Sequence, residues 1–332
     1  MELEIKQPPI TCYLHHAYQL TVSMSHKDFD SWFLSNYIQL EYVAEQDILN
    51  FFTYVICGNC VYNPLINYRI LDLEYIFKTN IDIIEFVKKS IEAGYYIVTY
   101  IDEFYIPERN AYKKEHFKHE LMIYGFDLSK KEFKLLGYNN KNIYSTSSVS
   151  FSEFNNGYLN SVDQNNDVLL LKAKNDNSWN PSYNFDIENV KNLLSDYLYS
   201  ENSSERLRSI GNPNKYIYGL SVYKYLIKCY EEIIRSNNKQ TDIRHFYLLY
   251  EHKKTMVARL KYLTEKGYLN NSNNYISLFL ELQKDAFNAR NLIIKYDISG
   301  SKELINEVIL CLKKMYETES KVIEDLLKNI IG

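Results

Sequence analysis

The sequence predicts an α+β fold in its first half and an all-α bundle in its second. Three observations carry this expectation. Up to about residue 175, short apolar runs with strand character alternate with single helical patterns. Beyond residue 184 only long stretches with apolar residues at three- and four-residue spacing remain, for example Leu249, Met256, Leu260 and Leu263. Between them, Asn175-Asp-Asn-Ser-Trp-Asn-Pro-Ser is built from turn formers and reads as a linker. The predicted domains are therefore 1–175 and 184–332 of the 332 residues.

In chain order, Cys12 opens an amphipathic segment running to Met24, and Phe29–Asn50 and the apolar stretch Ile48–Cys57 follow. Asn80 is placed to cap a helix over 81–93, with Ile81, Ile84, Phe86, Val87 and Ile91 apolar and Gly94 at C′. Strands are predicted at 95–101, 120–126, 132–138 and 167–173, with Asp127-Leu-Ser-Lys-Lys as the hairpin loop between the second and third. The helical patterns of the second half cover about 186–199, 215–236, 241–267, 275–297 and 301–330. They break at Gly211-Asn-Pro, Asn237-Asn, Asn270-Asn-Ser-Asn-Asn and Ser299-Gly-Ser.

Net charge is −4 with a pI near 6.0, and no dense Lys/Arg block recommends a nucleic acid or an anionic membrane as partner. No apolar run approaches the length of a membrane span, and the N-terminus lacks the apolar core of a signal peptide. Five scattered cysteines argue against a disulfide framework and for a reducing, cytoplasmic compartment. The 32 tyrosines, with the many Asn, Ile and Lys, reflect a biased genome more than a function, although some tyrosines suit a pocket wall.

Cys12 is the candidate nucleophile. A cysteine on an amphipathic segment is more often a buried small hydrophobe, but two features favour chemistry. Helix N-terminal N–H groups stabilise a thiolate, and His119 heads the apolar run His-Glu-Leu-Met-Ile-Tyr-Gly-Phe-Asp (119–127), where an imidazole could serve as its base. Gln7, in the Pro-rich approach to the helix, could join the Cys12 N–H in an oxyanion hole. His116 is a rival to His119 but falls in a charged loop. Cys57-Gly-Asn-Cys60 has no second pair and reads as buried, and His15-His16 read as structural. Glu251-His-Lys-Lys and Arg244-His read as solvated helix faces.

The order of Cys12 and His119 is that of papain-like cysteine catalysts. Asp102, Tyr105-Ile-Pro, Tyr112-Lys-Lys-Glu-His-Phe-Lys-His and the Tyr-Gly-Phe-Asp turn together resemble the papain-like domain of the butirosin biosynthesis H family. That family is similar to the double-glycine bacteriocin-processing cysteine peptidases. Tyr218-Gly-Leu-Ser-Val-Tyr and Tyr250 to Arg259 resemble its helical portion. The cysteine-protease-like amide synthases of closthioamide-type polythioamide assembly form a related class.

The resemblance implies a papain-like catalytic domain followed by a helical domain. It implies acyl transfer from an acyl or peptidyl carrier protein thioester to a small amine, through an acyl-cysteine intermediate. The substrate rides on the carrier's phosphopantetheine, and no metal or other cofactor is called for. In the related peptidases an Asp follows the histidine strand; equal counting lands here on Gly137, with Asn139 two residues on. Asn139 is thus a candidate orienter of His119, with Asp102 and Asp127 as alternatives. A cysteine peptidase or amidase, and a non-catalytic binding protein on a peptidase-like scaffold, are the competing readings. A homodimer is left open.

Overall fold

The computed structural model describes residues 1–57, 60–161, 167–175, 182–236, 241–270 and 272–331. The protein is mixed α+β with a helical C-terminal region. Its elements in order are α1 (Leu14–Ser23), α2 (Phe29–Asn36), β1 (Leu40–Val43), β2 (Ile48–Phe51), β3 (Val55–Cys57), β4 (Cys60–Val61) and β5 (Ile66–Asp72). Then come α3 (Leu73–Lys78), α4 (Ile83–Glu92), β6 (Tyr96–Asp102), β7 (Lys118–Asp127), β8 (Glu132–Tyr138), β9 (Tyr144–Ser150), α5 (Phe151–Leu159) and β10 (Asp167–Ala173). The C-terminal part holds α6 (Ile187–Tyr199), β11 (Ile217–Tyr218), α7 (Ser221–Arg235), α8 (Ile243–Glu265), α9 (Asn273–Ser299) and α10 (Lys302–Asn329).

The chain forms two compact units. The first takes Met1–Phe29 and Tyr54–Ser182; the second takes Asp30–Thr53 with Tyr183–Gly332. The stretch 30–53, read from sequence with the first 175 residues, therefore clusters with the helices. The reason lies at the end of α2, whose last carbonyls have no partner within the helix. Arg259 of α8 donates to the Leu34 and Tyr37 carbonyls at 2.8 and 2.7 Å, His252 reaches the Ile38 carbonyl at 2.8 Å, and Asn189 of α6 bonds the Ser35 carbonyl at 2.8 Å. The expected linker at 175–182 lies largely outside the described residues.

In the first unit, six antiparallel strands run in the order β5-β10-β6-β7-β8-β9. Alternation along each strand serves two cores. Val98, Met122, Tyr124, Leu136 and Leu171 face Leu14, Ala17, Tyr18 and Val22 of α1. Ile97, Leu121, Ile123, Leu135 and Val149 face Val87 and Ile91 of α4 and Phe154 and Tyr158 of α5. On β7 the pairing with β8 shifts between Ile123 and Gly125, so that Tyr124 is an extra residue. The bulge reverses the alternation, and Phe126 joins Ile123 in the α4/α5 layer.

Most predicted elements of this unit are present, with several differences, and β5, α3 and β9 stand where no element was predicted. The cap of α4 is Asp82, whose carboxylate accepts from the Ile84 and Glu85 N–H groups, while Asn80 adopts a positive φ of 55° in the preceding turn. The first helix starts at Leu14, so Cys12 stands ahead of its N-cap, Tyr13. A helix, α5, occupies 151–159 where the sequence reads as polar connection; Ser150 and Glu153 form its capping box.

In the second unit α8 packs on α9, and α10 on α9 and α7. A short sheet, β11-β1-β2, also belongs here. Glu251, His252 and Lys253 are buried, contrary to their reading as a solvated face. Lys253 donates to both carboxylate oxygens of Glu319 on α10, at 2.6 and 2.7 Å, and lies 3.0 Å from His252 Nδ1. Tyr197 and Tyr223 donate to the same Glu319 at 3.1 and 2.8 Å. An ammonium has only donors, so His252 Nδ1 must accept, which leaves Nε2–H to donate to Ile38. Burial, and then the Lys253 charge, hold the His252 pKa well below its ordinary value, in keeping with that neutral tautomer. No helix among the described residues is long and apolar enough to cross a membrane.

Candidate functional site

At one end of the first unit's sheet, β7 begins and β8 ends. A cavity of about 290 Å³ opens there, walled by Leu14 and Tyr18 of α1, Glu103, Arg109 and Phe117 of the β6–β7 connection, His119 and Glu120 of β7, and Gly137, Tyr138 and Asn139 at the end of β8.

His119 pairs across the sheet with Ile101, so the residues following β6 lie beside it. The chain turns there in a short 3₁₀ segment, Glu103–Tyr105, which brings the carboxylate of Glu103 to 3.4 Å from His119 Nδ1. The Glu103 side chain is buried, whereas His119 is partly open to the cavity and stacks on Phe117 at 5.4 Å. A carboxylate on the Nδ1 side favours the tautomer with Nδ1 protonated and leaves the Nε2 lone pair for a substrate. His119 shares strand parity with Leu121, away from α1, but the cavity at the strand's end spans both faces and also reaches Leu14 and Tyr18.

Arg109 fixes Glu103 from behind. Its Nε lies 3.8 Å from Glu103, and Nη1 donates to the Tyr138 carbonyl at 2.6 Å. Its buried Nη2 has no hydrogen-bond partner among the described residues. Gly137, at φ +154°, makes this packing feasible: a Cβ there would stand 3.0 Å from the Tyr18 hydroxyl and 3.2 Å from Nη2.

Cys12 is buried, 8% exposed, and carries a thiol rather than a disulfide. Its loop is tied to the cavity wall on both sides. The Tyr138 hydroxyl donates to the Thr11 carbonyl at 2.5 Å, and Leu14, two residues on, lines the cavity. Cys12 itself is not one of the described wall residues.

The other candidates sit as follows. Asp102 turns away from His119 and holds His116, with Oδ2 2.6 Å from its Nδ1, while Oδ1 accepts from the Phe104 and Phe117 N–H groups. His116 is solvent-exposed and stacks on Phe104 at 4.5 Å. Asn139 lines the cavity, but its amide oxygen accepts from the Lys141 and Ile143 N–H groups and its NH₂ donates to Ser145. Its side chain thus closes the β8–β9 turn. Asp127 closes the β7–β8 turn onto Ser129 and Lys130, and these hydrogen bonds hold its carboxyl below the usual value. Gln7 is exposed. Glu103 escaped the sequence reading; its signal was its place next to Asp102, at the end of a strand paired with the His119 strand.

Among the described residues, no three His, Cys, Asp or Glu side chains gather as a metal-binding set. Cys60 is buried and accepts from the Gln19 amide at 3.4 Å; residues 58 and 59 between the paired cysteines lie outside the described residues. No family model and no curated protein matches the chain.

Proposed function

We propose that the first unit is a papain-like acyltransferase, with Cys12 as nucleophile, His119 as general base and Glu103 as the residue that positions His119. The observation that carries this reading is the His119–Glu103 pair at the edge of a cavity to which the Cys12 loop is tethered through Thr11 and Leu14. A free cysteine is mostly protonated at neutral pH, so a base within reach is the chief requirement.

In the first half-reaction His119 Nε2 takes the Cys12 proton as the sulfur attacks the carbonyl carbon of a carrier-protein thioester. The carbon–sulfur bond to phosphopantetheine breaks, and the departing thiolate takes the proton back from the imidazolium. In the second half-reaction an amine attacks the acyl-cysteine, His119 removes its proton, and Cys12 leaves and is reprotonated as the amide forms. Exchange of a thioester for an amide is downhill. Gln7 and the Cys12 N–H serve as oxyanion donors once the acyl group is in place.

Intact-protein mass spectrometry after mixing with an acyl-N-acetylcysteamine thioester tests the reading. The wild type should gain one acyl mass, mapped to Cys12, and release it as amide when a primary amine is added. Cys12→Ala should gain none and melt within a few degrees of wild type. An adduct that maps elsewhere, or an acyl group that leaves as free acid at every amine concentration, would overturn the acyltransferase.

A further inference from the structure

Helix α9 carries two apolar stripes where a bundle helix needs one. Phe279, Leu282, Ala286, Ala289 and Ile293 are buried. On the outer side, Leu280, Phe287 and Ile294 recur every seven residues and are 49%, 39% and 39% exposed; Ile298 beyond them is 84% exposed. Lys284 and Asn291 fall between them, which gives the 4-3-4-3-4 spacing 280, 284, 287, 291, 294, 298 of a coiled-coil seam. Apolar side chains spaced along an outward helix face mark an interaction surface.

We infer that this face of α9 pairs with the same face of a second copy of the chain, antiparallel and about a two-fold axis near residue 289. Charge complementarity selects the occupant and the direction. Glu281, Asn288 and Lys295 form one flank of the seam, seven residues apart and exposed. In an antiparallel self-pairing each Glu281 meets the partner's Lys295, and the two Asn288 amides meet at the axis. Apolar Leu280 then packs on the partner's Ile298. A parallel pairing would instead set Arg290 against the partner's Lys295, like charge against like. On the second flank the two Arg290 approach each other, but each guanidinium lies over its own Phe287 and Tyr247 rings, at 4.5 and 5.2 Å. Leu310 of α10, 64% exposed, borders a groove of about 490 Å³ with Asn288, Asn291 and Lys295 and widens the patch. The polar Asn291 in the seam suits a pairing of fixed register.

Sedimentation equilibrium of the full chain across micromolar concentrations tests the inference. The wild type should be a dimer. Phe287→Glu with Ile294→Glu, both on exposed positions that leave the bundle core intact, should give a monomer, at least about a hundredfold weaker in association. Glu281→Lys should weaken the dimer about tenfold, and adding Lys295→Glu should restore it. A monomeric wild type, or a dimer indifferent to the double glutamate variant, would overturn the surface. Failure of the second charge reversal to restore association would overturn the antiparallel pairing.

Discussion

Lys253 and Glu319 meet at 2.6 Å with neither side chain reaching solvent. A buried pair is weak evidence of stability but strong evidence of dependence, because removing one partner strands the other charge. Lys253→Met alone should destabilise the fold by about 3–5 kcal/mol, and Lys253→Met with Glu319→Leu should recover most of that loss. Urea denaturation reads both. A single variant as stable as wild type would mean that Glu319 takes up a proton at no cost.

Stability should vary with pH through two buried groups of opposite sign. His252 is held neutral in the fold, its pKa well below the ordinary 6.5. Below pH 6.5 the unfolded chain binds the proton and the folded one does not, so this contribution is full above 6.5 and falls with acid by about 1.4 kcal/mol per pH unit. Glu41 behaves in the reverse sense. Its Oε2 is buried without a partner among the described residues, and burial pushes the carboxyl up to about 8. The folded state holds that proton, so the contribution is full below 4.5 and is lost as pH rises towards 8. His252→Gln should flatten the acid limb. Glu41→Gln should stabilise the protein at pH 8 by on the order of 2 kcal/mol. Melts of each variant against wild type from pH 5 to 8 separate the two; equal slopes would refute both assignments.

Gly219 should tolerate no side chain. It takes φ +56°, and a Cβ would stand 2.2 Å from the Tyr197 carbonyl oxygen, whose neighbour at 2.9 Å is the Leu220 N–H it accepts from. Both groups are backbone and cannot rotate away. Gly219→Ala should cost at least about 2 kcal/mol in equilibrium unfolding, and a neutral result would place β11 differently.

The two imidazoles near the cavity should separate in kinetics. His119→Ala should lower acylation by about 10²-fold or more. Glu103→Gln should give a smaller but definite loss, because it weakens the contact that orients the His119 ring while keeping a hydrogen-bond acceptor. His116→Ala should leave acylation near wild type, since Asp102 holds that ring out in solvent. Stopped-flow thioester consumption measures all three. A larger loss at His116 than at His119 would exchange their roles.

Periodic elements were legible in the sequence. The strand 132–138 is found at its predicted bounds, 167–173 likewise, and four of the five long helical patterns contain their helices, while α9 runs two residues past its pattern at each end. What escaped had other causes. α5 carries mixed polar letters, although the Ser150/Glu153 pair signalled it. β9, Tyr-Ser-Thr-Ser-Ser-Val-Ser, is an edge strand with little apolar content to alternate. His252 and Lys253 look like surface residues because their burial depends on Glu319 and Ile38, which are distant in the chain. The His119–Glu103 pair spans sixteen residues and exists through the register that sets Ile101 opposite His119. Spacing read along one strand does not contain a register between two.

The extra residue at Tyr124 has a consequence for how this strand can change. Because the bulge shifts the phase of β7, the half carrying His119 and the half carrying Phe126 obey different odd–even rules. A one-residue deletion at 124 would remove the bulge and keep Leu121, Ile123 and Phe126 in one layer on a single phase, whereas a deletion between 120 and 123 would turn His119 to the opposite face. Lengthening the turn 128–131 leaves both phases untouched. The hairpin is thus free to vary at its tip and closed to length change nearer the cavity, so insertions should be tolerated at the turn and single-residue deletions between His119 and Ile123 should not.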